Sequence, residues 1–262
     1  MLELNGIRQV FRSGQDEVVA LDRIDLHLDR GDFLSIIGSN GAGKSTLLGV
    51  IAGVLVPTAG RVLIAGEDLT TTPAWRRARR IGRIVQNPLS GTAPTMTIAE
   101  NMALALKRSG RSFFPALTKR RRRLFAEELS PLGMGLEHRL DVPAYLLSGG
   151  ERQALTVTMA TLAEPDILLL DEHTAALDPA NARLIADLTE AHVKRTRLVT
   201  LAVTHNMEQA IRLGNRLIMM HKGAIILSLE GEEKSGTSVG RLVELFARRH
   251  IVDDALLLEA PS

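Results

Sequence analysis

Apolar and polar positions alternate along the first stretch of the chain. Leu2, Leu4 and Ile7 come first, and residues 18–28 carry apolar residues at Leu21, Ile24, Leu26 and Leu28. A period of two predicts short antiparallel strands on either side of a turn at Ser13, Gly14, Gln15 and Asp16. Residues 33–37, Phe-Leu-Ser-Ile-Ile, predict a buried strand by length and β-branching. A glycine-rich segment, 38–43, follows it. A helix is then expected from Lys44 to about Ala52, with Gly53 suited to its end. Residues 61–64 and 81–86 read as further strands.

Between residues 87 and 147 the strand patterns vanish. Residues 97–107 and 118–129 look helical, and 109–115 between them are loop-like, so this stretch reads as a helical insertion. From Ser148 the chain returns to a helix (151–162), a strand (167–170), a helix (179–193) and a strand (198–203). Strand–helix alternation marks a parallel sheet. Residues 230–238 are polar and expected to be flexible. Residues 239–248 carry Leu242, Val243, Leu245 and Phe246 at the spacing of a small docked helix.

Composition narrows the class. Hydrophobic residues make up 45% of the 262, but aromatic ones only 3%, so Leu, Ile, Val and Ala must build the core. That composition suits a buried parallel sheet covered by helices. The chain has no cysteine, which excludes disulfides, thiolate metal sites and a Cys nucleophile and agrees with a cytosolic setting. The first ten residues include Glu3 and Arg8 and no long apolar stretch, so no secretory signal is expected. Apolar runs such as 167–170 and 198–203 fall far short of the ~20 residues a membrane span needs. The net charge is only +2, with local basic runs at Arg76–Arg80 and Lys119–Arg123. Those runs read as solvated helix faces or as contacts for anionic headgroups or an acidic partner. No aromatics interleave them, so nucleic acid is not an expected partner.

Three segments carry chemistry. Gly38, Ser39, Asn40, Gly41, Ala42, Gly43, Lys44, Ser45 and Thr46 fit the G-x-x-x-x-G-K-[ST] phosphate loop, with a strand before it and a helix after it. Its glycines let the backbone turn its N–H groups toward phosphates, and the helix start adds partial positive charge. Lys44 is expected to reach the β- and γ-phosphates of ATP, and Ser45 to ligate Mg²⁺. The second segment is the apolar strand 167–170, which ends in Asp171 and Glu172. Asp171 would serve the metal side of the site, and Glu172 would orient or deprotonate a water. Alone, that pair would read as a surface strand cap. The third segment is residues 147–153, Leu-Ser-Gly-Gly-Glu-Arg-Gln. Ser148 can cap a helix beginning near Glu151, while Gly149 and Gly150 keep its start open as a second anion site. Alone, it would read as an ordinary capped helix.

Taken together these segments resemble the nucleotide-binding subunits of ATP-binding cassette (ABC) transporters, over residues 2–246. The resemblance implies an α/β fold: a P-loop NTPase core of mostly parallel sheet with helices on both faces, an N-terminal antiparallel β-subdomain and an inserted α-helical subdomain. In this scheme the core takes residues 1–86 and 148–230, the helical subdomain about 87–165, and a tail 247–262. Phe11 falls where the family stacks an aromatic on adenine, the alternative being a core Phe in the first sheet. Gln86 matches the glutamine that reaches Mg²⁺ and the attacking water. Asp178, in Ala176-Leu177-Asp178, matches the loop that crosses the dimer interface, and His205 the histidine that contacts the γ-phosphate. Many family members carry Pro after the catalytic Glu, whereas this chain has His173. Residues 91–98 and 171–178 resemble a bacterial branch paired with tryptophan/tyrosine-type solute-binding proteins and permeases similar to branched-chain amino-acid ones.

The resemblance implies a head-to-tail homodimer on the cytoplasmic face of the inner membrane, bound to integral permease subunits and served indirectly by an extracytoplasmic solute-binding protein. An importer subunit is the expected role. An exporter of lipid or lipoprotein, or a soluble cassette ATPase acting on ribosomes or DNA, are the alternatives.

Overall fold

The computed structural model describes residues 1–14, 16–85, 91–107, 117–175 and 177–247. They fall into two compact units, one of residues 1–77 with the chain from Thr196 onward, the other Ala78–Arg195.

In the first unit the alternating N-terminal pattern becomes two antiparallel strands, β1 (Leu2–Ser13) and β2 (Asp16–Leu28). They are longer than their apolar positions suggest. Register shifts between Leu4 and Ile7 and between Ile7 and Gln9 let the pairing continue where strict alternation breaks. With β4 (Ala59–Ile64) and the short β5 (Glu67–Asp68) they form a sheet of order β2-β1-β4-β5. The unit also holds β3 (Phe33–Ile37), β8 (Val199–Val203), β9 (Arg216–His221) and β10 (Ala224–Glu230), in the order β10-β9-β3-β8. Strand β3 runs parallel to both β8 and β9 and is buried at every position. Helix α1 (Lys44–Ala52) ends at Gly53, whose left-handed φ of 73° turns the chain away. A single turn, α2 (Ala74–Arg77), follows β5.

The unit closes on α7 (Met207–Arg212), α8 (Gly231–Ser235) and α9 (Val239–Ala247). Leu242 and Phe246 of α9 are fully buried in a cluster with Met207, Ala210 and Met219. Residues 230–238 are therefore not a flexible linker. Lys234 is 2% exposed, and its ammonium donates to the carbonyls of Ile211, Leu213 and Gly214, which anchors α8 beyond the end of α7.

In the second unit, β6 (Ile81–Ile84) runs parallel to β7 (Ile167–Asp171). The strand expected over 81–86 thus ends at Ile84, and Gln86 lies outside the described residues, as does the loop-like stretch 109–115. Helices α3 (Ile98–Lys107), α4 (Lys119–Leu129) and α5 (Gly149–Thr161) surround a core of Met102, Phe125, Leu136 and Leu155. Thr118 caps α4 by accepting from Arg121 N–H. Helix α6 (Pro179–Thr196) completes the unit. The buried amide of Asn101 fastens the segment before α3. It accepts from Ala93 N–H at 2.7 Å and donates to the carbonyls of Ala93, Met96 and Thr97.

The basic run 76–80 is not one solvated face. Arg76 is exposed over the Trp75 ring, Arg77 is buried, and Arg80 pairs with Asp166 at 2.6 Å. Runs of like charge say nothing about which member the fold turns inward. The run at 119–123 opens α4, with Arg122 paired to Asp141.

Candidate functional site

The first half of the site grows from the carboxyl end of β3. Gly38 takes φ 149°, and a Cβ there would stand 2.2 Å from the Met220 carbonyl oxygen, so the loop passes directly against β9. Gly41 has φ 80° with open space around it, and Gly43 caps α1 from the left-handed region. The loop folds on itself through Ala42 N–H to the Ser39 carbonyl (3.1 Å), and Gly223 N–H donates to the Ala42 carbonyl (3.1 Å). Lys44 is 7% exposed and its ammonium donates to the carbonyls of Gly38 and Ser39 (2.8 Å to the latter), so it lies across the inside of the loop. Ser45 and Asn40 face solvent and Thr46 is half-buried. Leu47 N–H donates to the Gly43 carbonyl (2.8 Å), the bond that opens α1, and the amino end ahead of it is the kind of place an anion takes.

His205 stands at the same end of this sheet. Ile36 pairs with Val203, so Gly38 and His205 each lie two residues beyond a matched pair. Thr204 N–H donates to the Ile36 carbonyl (3.1 Å), and Asn206 caps α7 by accepting from Gln209 N–H (2.8 Å). His205 is exposed between these two fixed points. Phe11, on β1 opposite Val18, is 42% exposed rather than part of the core.

The second unit holds the other residues. Asp171 ends β7, with the Arg83 guanidinium 3.9 Å from its carboxylate. Glu172 has φ 47°, an unusual left-handed position for a non-glycine residue, and begins a turn closed by Ala175 N–H to its carbonyl. His173 is 4% exposed and its Nε2 has no hydrogen-bond partner. Burial lowers its pKa from 6.5 to about 4, so the ring is neutral at physiological pH.

Ser148 and Glu151 form a reciprocal cap on α5. The Ser148 hydroxyl accepts from Glu151 N–H (3.2 Å), and the Glu151 carboxylate accepts from Ser148 N–H (2.8 Å). Arg139 adds an ion pair to Glu151. Burial alone would raise the Glu151 pKa, but the bonds from Ser148 and Arg139 outweigh it and hold the carboxyl below its ordinary value. A Cβ on Gly149 would touch Leu177, and one on Gly150 would come within 3.0 Å of Asn181. The open start of α5 thus lies beside the start of α6. There Asp178 accepts from the N–H and side-chain amide of Asn181, bonds that lower its pKa.

The structure therefore brings Lys44 and His205 to one sheet end, and Ser148, Gly149, Gly150 and Asp178 to one corner of the second unit. Gln86 and Ala176 lie outside the described residues. Sequence reasoning missed Arg139 and Asn181. The Asp-Pro start of α6 is a helix-entry signal that points to the second, while nothing local marks the first. For Mg²⁺ the chain offers a hydroxyl on Ser45 and a carboxylate on Asp171, oxygen donors of the kind that ion takes. No cluster of three acidic, His or Cys groups occurs among the described residues.

Comparison with known proteins agrees with this arrangement. The family model described as ABC transporter matches residues 21–175. A tyrosine transport ATP-binding protein of Clostridioides difficile is 36% identical over 94% of this chain and 98% of its own length. A lipoprotein-releasing system ATP-binding protein LolD 1 of Caulobacter vibrioides is 35% identical over 84% of this chain and 92% of its own. Among solved structures, the dimeric post-hydrolysis state of the ATP-binding cassette MJ0796 bound to ADP and Pi is 27% identical, with a TM-score of 0.76 over 88% of this chain and 98% of that one. On the matched residues and on the likeness to these relatives, the chain belongs to the ABC transporter family.

Proposed function

We propose that this chain is the ATP-binding and ATP-hydrolysing subunit of a bacterial ABC transporter, and that it drives import of an amino acid or aromatic compound through separate permease subunits. The observation that carries the reading is the presence of two anion-ready helix starts in one chain, the phosphate loop of α1 and the glycine-opened cap of α5 beside Asp178. A one-site enzyme needs one of these. Two are needed where copies pack head to tail, so that Ser148, Gly149, Gly150 and Glu151 of one copy close over the nucleotide held by residues 38–46 of the other. A single ATPase domain over 1–246, with a helical insertion at about 87–165, is the organisation that goes with this reading.

Lys44 and the loop amides neutralise the phosphates, and Phe11 stacks on the adenine. Ser45, Gln86 and Asp171 would hold Mg²⁺, which when bound neutralises phosphate charge. Glu172 takes the proton of the attacking water while His205 contacts the γ-phosphate. Attack at the γ-phosphorus breaks its bond to the bridging oxygen and yields ADP and inorganic phosphate.

No helix among the described residues is long and apolar enough to cross a membrane, in keeping with a peripheral subunit at the cytoplasmic face. The permease would dock near Gln86 and residues 88–96. Its last residue, Met96, is exposed, and the exposed Tyr145 and Leu146 lie by it through Tyr145 N–H to the Pro94 carbonyl (2.9 Å) and Ala144 N–H to the Met96 carbonyl (2.9 Å). The similarity to the tyrosine transport subunit favours import, and a solute-binding protein would then deliver the cargo. The similarity to the lipoprotein-releasing subunit favours export as the second reading.

Glu172→Gln is expected to keep ATP binding, reduce turnover to background and trap an ATP-dependent dimer on gel filtration; near-normal hydrolysis removes Glu172 from its role. Lys44→Ala should weaken ATP binding itself. The intact membrane complex decides direction: ATP-dependent uptake of an amino acid supports import, and release of lipoprotein from the membrane supports export.

A further inference from the structure

Arg77 is not one of the nucleotide-site residues, yet its side chain is 1% exposed, one of the largest fully buried groups among the described residues. Its hydrogen bonds go to main-chain carbonyls. Nε donates to Thr72 (2.9 Å), one terminal nitrogen to Val50 (2.8 Å) and Ile51 (2.7 Å), and the other to Leu69 and Thr70. Burying a guanidinium without a bonded carboxylate is costly, and these five bonds offset part of that cost.

Val50 and Ile51 lie in the last turn of α1, the helix whose first turn carries Lys44, Ser45 and Thr46. Carbonyls at a helix end form its negative pole. Helix α1 has no basic residue of its own in that last turn. Arg77 supplies the missing cation from another part of the chain. Gly53 makes room for it, since a Cβ at that position would come within 2.7 Å of the Arg77 Nε. At 1.5 Å per residue the two poles of α1 are only about 13 Å apart. Through a poorly screening interior, an uncompensated negative pole would subtract from the attraction that the amino end exerts on phosphates.

We propose that Arg77 is a positioning residue for the nucleotide. It fixes the carbonyl end of α1 and cancels its negative pole, so that the amino end acts on the phosphates at full strength. The proposal rests on the reading of residues 38–46 as a nucleotide site. Because the effect is electrostatic, it must grow with phosphate charge, which a purely structural role does not require.

The test measures calorimetric affinities of the full chain for a non-hydrolysable ATP analogue and for ADP, alongside melting temperatures. Arg77→Gln should weaken the triphosphate by about tenfold and ADP by clearly less. Arg77→Lys, which keeps the charge but not the five-carbonyl fork, should melt earlier and retain the preference for triphosphate. Equal losses for both ligands in Arg77→Gln, or none, overturn the proposal. If Arg77→Gln does not fold, Arg77→Lys decides: a retained triphosphate preference supports the proposal and a lost one overturns it. Wild-type protein that binds neither ligand would instead remove the nucleotide reading, with Lys44→Ala as its control.

Discussion

Replacing Gly38 by Ala tests how closely the phosphate loop passes the neighbouring strand. The new Cβ would stand 2.2 Å from the Met220 carbonyl oxygen, 3.1 Å from the Met220 carbonyl carbon and 3.2 Å from the Ala42 Cβ. Two of those atoms are backbone of β9, which is paired to β3 through Ile37 and Met219, so no side-chain rotation relieves the overlap. A carbon–oxygen contact needs about 3.3 Å, so strand or loop must give by about 1 Å. Overpacking of this kind costs about 1–3 kcal/mol. Holding a non-glycine residue at φ 149° adds about 1–3 kcal/mol. The sum, about 2–6 kcal/mol, is a large part of the roughly 5–15 kcal/mol that holds a domain folded. Gly41→Ala is the internal control. It shares the loop and has φ 80°, but nothing lies within 4 Å of its Cβ, so only a backbone cost of about 1–2 kcal/mol applies. Urea unfolding of the nucleotide-free chain, read as midpoints at constant slope, measures both. Equal losses in the two variants, or a Gly38→Ala midpoint matching wild type, would refute the close approach.

Ser148→Ala removes half of the reciprocal cap on α5 and should cost about 1 kcal/mol in urea unfolding, with Ser148→Asp recovering most of it. The depressed Glu151 pKa makes a pH prediction: its contribution to stability is fully present above the unfolded value, about 4.3, and is lost as pH falls through the folded value. Arg139→Ala should move that loss to higher pH in thermal melts, and coincident acid limbs would contradict it. Asn101→Ala leaves the Ala93 N–H and several carbonyls without their buried partner. It should destabilise by about 1–3 kcal/mol and speed amide exchange at Ala93.

The parts legible from sequence are those whose local chemistry agrees with their surroundings. The β-branched run at 33–37, the Gly53 stop, the helix from residue 118 and the Ser148 cap all stand where their residues place them. The misses depend on distant partners. Strand β9 holds two methionines in its apolar run and declares itself by pairing with β3 and β10. Lys234 belongs to a polar stretch by composition, and only the carbonyls at the end of α7 and just after it explain its burial. Likewise nothing near Arg77 separates it from Arg76, because its acceptors include residues 50 and 51, far back in the chain. At the site, the phosphate loop and the Asp171-Glu172 pair are motifs with fixed spacing, whereas the contacts of Gly149 and Gly150 with Leu177 and Asn181 arise from folding alone.

The central place of β3 also bears on how the protein is made. Its two neighbours, β8 and β9, lie about 165–180 residues later in the chain, an interval of roughly ten to thirty-five seconds at ordinary synthesis rates. Until residue 220 has emerged, the Gly38 turn lacks the carbonyl it packs against, and both edges of an apolar strand are open. A nascent chain in that interval has no finished nucleotide site to steady it, and β3 is an unpaired apolar strand open to a chaperone or a neighbouring nascent chain.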